Sequence, residues 1–216
     1  MLFYKDINII HFKRWDEITG SNEYETTHSN AGIDDFCHSY IINKRAKEKS
    51  KMLFGGNLPP DSYSVMAKMI GRLSKLHNTY AVIALKECGL NNLDEFLYLN
   101  SIGNAEAPKK TTVIYANFNE LSSGLLILGR MMKKGLIVEA TDKEDKRSKR
   151  LKLTKKGNNL LTLCYEKMGV LNEWFFKSIS KEDIDLCVHL LSGVETNFSS
   201  KWVEDKAKTF GMLNEE

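Results

Sequence analysis

The sequence predicts a mainly α fold with one small β-hairpin, set between a pair of short helices and a group of long ones. Three observations predict it. Apolar residues recur every three or four positions over 62–88, 154–176 and 181–207, the period of helices with one buried face. The stretch 122–157, SSGLLILGRMMKKGLIVEATDKEDKRSKRLKLTKKG, switches from that period to strand-like alternation and back. Within it, DKEDKRSK is too polar to be buried.

Composition sets the limits. A chain of 216 residues makes one large domain or a small domain with additions. A hydrophobic content of 42% supplies a core and argues against global disorder. The net charge of +3 says little about partners, but its distribution says more. Eight Lys/Arg against three Asp/Glu lie within 142–156, so the rest of the chain is slightly acidic. The positive field is gathered in one place. No apolar run approaches the ~18 residues of a membrane helix. Charges interrupt the apolar part of MLFYKDINIIHFKRW, unlike a signal peptide, so the expected location is cytoplasmic.

Cys37, Cys88, Cys164 and Cys187 are far apart, with no CxxC pair and no histidine at ligand spacing, so no metal site is expected. Reduced, partly buried thiols are one reading; a redox-sensing cysteine is the other, and it needs cationic neighbours or a helix N-terminus. His11, His28, His38, His77 and His189 are scattered. There is no nucleophile motif, phosphate-binding glycine loop or persuasive carboxylate pair. The chain reads as a non-enzyme that needs no cofactor.

Taken in order, residues 1–18 predict a helix, with Leu2, Phe3, Ile7, Ile10 and Trp15 on a broad apolar face. Residues 20–32 are a polar loop, and a short helix covers 34–44. RAKEKSK (45–51) is either a solvated connector or a DNA arm, and GGNLPP (55–60) is a turn. Asp61 is a candidate N-cap for a helix over 62–88 closed by Gly89. At 1.5 Å per residue that helix is a rod of ~40 Å. Its apolar stripe exceeds what one small module can cover, so it asks for other long helices or a second subunit. Asn92 and Glu95 resemble a capping box for a helix ending at Gly103. Lys109 to Phe118 is a short helix, Asn119-Glu120-Leu121 a turn, and Ser122 opens and caps the next helix. There Leu125, Ile127, Leu128, Met131 and Met132 are expected to face inward, and Gly135 to end the helix. Residues 136–141 and 150–153 are the paired strands, with Leu151 and Leu153 inward. Thr154 caps a helix to Phe176, Ser180 caps another reaching towards Ala207, and 208–216 is expected to fray. Helix, turn, helix and then a hairpin with a basic tip is a winged helix-turn-helix.

The order of elements resembles the MarR family of transcriptional regulators over about 62–205. The specific part is the wing, where Asp142, Asp145, Arg147, Leu151, Leu153, Thr154 and Gly157 stand at the family's motif positions. The resemblance implies a sequence-specific, double-stranded DNA-binding regulator: a ligand-responsive repressor, acting as a homodimer on a pseudo-palindromic operator. It implies a division into an accessory extension (1–58), a first dimerisation helix (59–91), a DNA-binding lobe (92–153) and C-terminal dimerisation helices (154–216). Ser122 and Ser123 lead the recognition helix, where they either cap it or reach phosphate and bases. Lys110, Thr111 and Thr112 sit at a helix start that can face a phosphate. Arg147 matches the wing-tip arginine of the minor groove, a narrow cleft of enhanced negative potential. Asp142 and Asp145 match wing-supporting carboxylates. Lys146, Lys149 and Arg130 complete the expected DNA contacts. Gly124-Leu125-Leu126 departs from the family, which often has polar residues there. Tyr63, Tyr80, Phe96 and Tyr115 either line a pocket for a small aromatic or anionic effector or are ordinary core. The competing reading is a winged-helix protein-interaction module that docks through the N-terminal extension.

Overall fold

The computed structural model describes residues 59, 61–141, 149–208 and 210–213. The helices expected over 1–18 and 34–44, the segment 45–51 and Cys37 lie outside the described residues. The chain divides into two compact units, 1–65 and 66–216. In the first, Asp61 accepts hydrogen bonds from the Ser64 amide (2.9 Å) and hydroxyl (2.7 Å), the predicted cap. Ser64 thereby holds the Asp61 carboxyl below its usual range.

The elements are α1 (Ser62–Lys86), α2 (Leu93–Gly103), α3 (Lys110–Ala116), α4 (Leu121–Lys133), β1 (Ile137–Thr141), β2 (Lys149–Leu153), α5 (Lys155–Phe176), α6 (Lys181–Asp205) and α7 (Phe210–Leu213). Their ends follow local chemistry. Gly89 (φ 79°) and Gly135 (φ 68°) are left-handed, as only glycine readily allows. After α4, the Leu136 amide donates to the Met131 carbonyl and the Gly135 amide to Met132, a Schellman motif. Leu90 and Gly89 close α1 in the same way on Leu85 and Lys86. The side chains of Asn92, Thr154 and Ser180 each accept from the amide three residues on, as predicted. Within the tail expected to fray, Phe210–Leu213 form the single turn α7.

The core of the second unit lies where α2, α3, α4, the hairpin and the middle of α5 meet. Leu99, Ile114, Leu128, Met131, Ile137 and Leu151 are all essentially sealed there. The hairpin is antiparallel, with Ile137 opposite Leu153 and Glu139 opposite Leu151. Its free edge is met by the α2–α3 loop. The Leu151 amide donates to the Pro108 carbonyl, and Lys109 bridges Arg150. The outer helices contrast with this core. Alpha-6 has no buried residue, and Leu190, Val194 and Phe198 are each more than half exposed. Met66, Ile70, Leu73 and Leu76 on α1 are exposed too. Towards its end α1 meets α5 through aromatic edges, Tyr80 on Trp174 and His77 on Phe175, with His77 hydrogen-bonded to Asn172 (2.9 Å). No helix among the described residues is long and apolar enough to cross a membrane.

The thiols separate by burial. Cys164 is sealed, and burial, with Cys88 beside it, pushes its thiol up to about 12. Such a thiol carries negligible thiolate at neutral pH, so it neither alkylates nor oxidises readily. Cys187 is exposed. The expected outcome with a thiol-specific reagent at pH 7 is that Cys164 stays unmodified in the native protein and reacts only in denaturant. Rapid labelling of Cys164 in the native protein, followed by peptide mass mapping, would contradict this.

Candidate nucleic-acid interface

Alpha-3 and α4 are joined by a tight turn at 117–120. Phe118 takes a left-handed backbone (φ 53°) and is half-exposed, so it does not lie on α3 as predicted. Its ring meets the edge of Trp202 from the end of α6, and Lys206 stands 4.4 Å over the Tyr115 ring. Glu120, not Ser122, occupies the N-cap position of α4, and it makes no side-chain cap bond. The cap reading of Ser122 is therefore corrected: Ser122 and Ser123 lie inside the first turn, and both are exposed.

Gly124, which the family comparison sets with Leu125 and Leu126, is buried. A Cβ there would lie 2.5 Å from Ile114 Cγ1 and 2.8 Å from the Tyr98 hydroxyl oxygen. Close approach of α3, α4 and α2 is what the glycine permits. Leu125, expected inward, is 43% exposed, because Gly124, Ile127, Leu128 and Met131 already fill the inner face. Alanine at 124 would gain about 1 kcal/mol of helix propensity. The sealed Ile114 leaves no room for the methyl, so the clash, about 1–3 kcal/mol, decides the sign. Gly124→Ala is expected to lower the urea midpoint; an unchanged or raised midpoint would contradict this packing.

The predicted contact residues fall into three groups. Ser122, Ser123, Thr111 and Thr112 are exposed at the starts of α4 and α3. Lys149 is exposed on β2, its Nζ 3.4 Å from the Thr141 hydroxyl. Lys110 pairs with Glu139 of the hairpin and Arg130 approaches Glu95 (4.0 Å), so both have intramolecular carboxylates to hand. Arg147, the expected wing-tip arginine, Lys146, and the wing-supporting carboxylates Asp142 and Asp145 lie outside the described residues.

Three fastenings hold α4 and the hairpin in register. Glu95 is 2% exposed, and both its oxygens accept from Lys134 Nζ (2.9 and 2.8 Å). Its amide completes the predicted cap with Asn92, but its carboxylate turns to the far end of α4. Thr154 bonds in two directions. Its amide donates to the Leu136 carbonyl (3.0 Å), its hydroxyl donates to that of Gly135 (2.8 Å), and the same oxygen accepts from the Gly157 amide (3.0 Å). Gly157 then lies so close to Leu136 that a Cβ would sit 2.0 Å from the Leu136 carbonyl oxygen. The Leu-Thr-x-x-Gly run is thus a knot tying α5 to the start of β1. The ion pair of Lys110 with Glu139 fastens α3 to the same hairpin.

Residues 90–157 match the family model of the winged helix DNA-binding domain. The chain contains a winged helix domain. Solved structures share the wider fold at low identity. A MarR protein from Peptoclostridium difficile is 22% identical, with a TM-score of 0.60, covering 72% of this chain and 98% of that one. A mutant MarR from E. coli complexed with operator DNA is 20% identical (TM-score 0.56; 60% and 92% covered). The transcriptional repressor CouR, bound to a 23-mer DNA duplex, is 16% identical (TM-score 0.58; 64% and 98% covered).

Beside the winged helix domain, a cavity of about 660 Å³ opens between α1, the start of α2, the end of α5 and α6. Leu73, Val82, Phe175 and Leu191 give it apolar walls, and Lys75, His77 and Asp94 give it polar ones. The four aromatics expected to line a pocket are not among its lining residues. Tyr63 is 90% exposed, and Tyr80 packs on Trp174. Phe96 is buried against Tyr165, and Tyr115 lies under Lys206. Aromatic type and helical spacing carry no information about which faces converge on a cavity.

Proposed function

We propose that the chain is a sequence-specific, double-stranded DNA-binding transcriptional regulator, a ligand-responsive repressor acting in the cytoplasm as a homodimer. The observation that carries the reading is the exposed leading end of α4, fastened by Lys134 and the Thr154–Gly157 knot beside a hairpin whose second strand carries Lys149, Arg150 and Lys152. A helix so held presents its side chains to the major groove in one orientation, and a basic hairpin beside it meets phosphate or the minor groove. The domain match and the DNA-bound structures of similar fold support it.

The apolar faces of α1 and α6 support the dimer: isolated, they leave leucines and valines in water over the length of two long helices. Two recognition helices about 34 Å apart would then read a pseudo-palindrome. In this reading 92–153 is the DNA-binding lobe. Residues 59–91 and 154–216 carry dimerisation, and 1–58 is an accessory extension. The 660 Å³ cavity is the proposed effector site, since a ligand wedged between α1, α2 and α5 shifts the population of lobe positions. The test is selection of bound duplexes from a random pool, repeated with Arg147→Ala. A shared motif with inverted half-sites, bound more weakly by the variant, is expected. Recovery of unrelated sequences by the wild-type chain would sink the proposal.

A further inference from the structure

We infer that Leu125 and Leu126 are specificity-determining residues that read the methyl groups of thymine in the major groove; this rests on the DNA-binding reading above. By helical periodicity Ser122, Leu125, Leu126, Gly129 and Lys133 share one stripe of α4, opposite the buried Gly124, Ile127, Leu128 and Met131. Leu126 is 67% exposed. Among the described residues no other element seals these leucines, although Leu99, Leu128 and Leu151 are sealed where α4 meets the core.

Gly129 adds an independent observation. A Cβ there would meet nothing within 4 Å, so no neighbour requires a glycine. In a helix interior glycine is costly, and here its effect is to keep the outer stripe flat. A flat stripe lets a partner's surface come close to the backbone of α4. The partner's character follows from the surroundings. The stripe starts with a hydroxyl, Ser122, and ends with a cation, Lys133, beside a hairpin whose second strand carries Lys149, Arg150 and Lys152. Those flanks suit phosphates, while the centre of the stripe offers no hydrogen bond at all. In the major groove each base edge presents donors and acceptors, and thymine alone of the four bases adds an apolar group, its C5 methyl. Two leucines at the centre of a basic frame therefore select A·T pairs placed with thymine methyls beneath them, and they penalise pairs whose polar edges would be left dry and unbonded.

The experiment replaces thymine by deoxyuridine, one position at a time, in the duplex recovered by selection. This removes the methyl and leaves the pairing and groove edges intact. Loss of one buried methyl is expected to weaken binding about fourfold at each position beneath Leu125 or Leu126. In Leu126→Ala, thymine and deoxyuridine duplexes should bind alike at one of those positions. The side chain is exposed, so the variant should keep the wild-type circular dichroism. Equal affinity for thymine and deoxyuridine duplexes throughout the site overturns the inference and leaves the regulator reading in place. Failure to recover any preferred duplex overturns both.

Discussion

Gly157→Ala is expected to be among the most damaging single substitutions in the described chain. The added methyl would lie 2.0 Å from the Leu136 carbonyl oxygen, a backbone atom that cannot rotate aside. Leu136 is held on one side by its amide's hydrogen bond to Met131 and on the other by the bond its carbonyl accepts from the Thr154 amide. Relief of the clash must therefore break the Thr154–Gly157 cap or pull β1 from the end of α4. Overpacking of this kind costs about 3 kcal/mol, and for a chain of this size that is roughly 6–12 °C in Tm. The measurement is thermal unfolding at fixed protomer concentration, since dimerisation makes Tm depend on concentration. DNA affinity should fall as well, because the knot sets the wing against α4. A shift of less than about 1 kcal/mol would show that α5 can slide without disturbing the hairpin.

The second large effect is expected on α6. Leu190 and Val194 lie one turn apart on its exposed face, and the helix has no buried residue to justify its length. Leu190→Glu with Val194→Glu places two charges where the proposal puts a dry interface, and uncompensated buried charge is strongly unfavourable. Light scattering should report a dimer for the wild type and a mass of 24.7 kDa for the variant. Operator affinity should drop by about 100-fold or more, because two linked half-sites become independent. The isolated winged helix domain does not contain these residues, so its fold should be unaffected. A wild-type monomer, or a variant that stays dimeric with full affinity, would remove α6 from the interface.

Much of this architecture is readable before any coordinates. Periodicity of three and four located α1, α5 and α6, and alternation located both strands. Gly89 and Gly135 marked helix ends because left-handed backbone is nearly reserved for glycine. Asn92, Thr154 and Ser180 act as caps because their short side chains reach only the amides just ahead of them. What failed was whatever depends on a second element. Gly124 reads as a gap in the reading face until α3 is laid against it. Leu125 reads as core until the inner face is already full. Glu95 fits a local capping box, but its carboxylate is claimed by Lys134, 39 residues away. No spacing rule announces such a pair. The cavity was invisible for the same reason: it exists where four helices leave a space, and none of its lining residues is unusual in its own helix.

The central claim is sequence-specific recognition of double-stranded DNA. The most direct measurement is the affinity of the full chain for its selected duplex and for random DNA, followed across a salt series by fluorescence anisotropy. Lys and Arg contacts to phosphate release counterions, so log affinity should fall steeply and linearly with log salt, with a slope magnitude of about 0.9 for each phosphate neutralised. At physiological salt the selected duplex should bind about 10³-fold or more tightly than random DNA. A preference of less than about tenfold over random DNA, whatever the salt slope, would contradict the account, since charge attraction alone supplies non-specific binding.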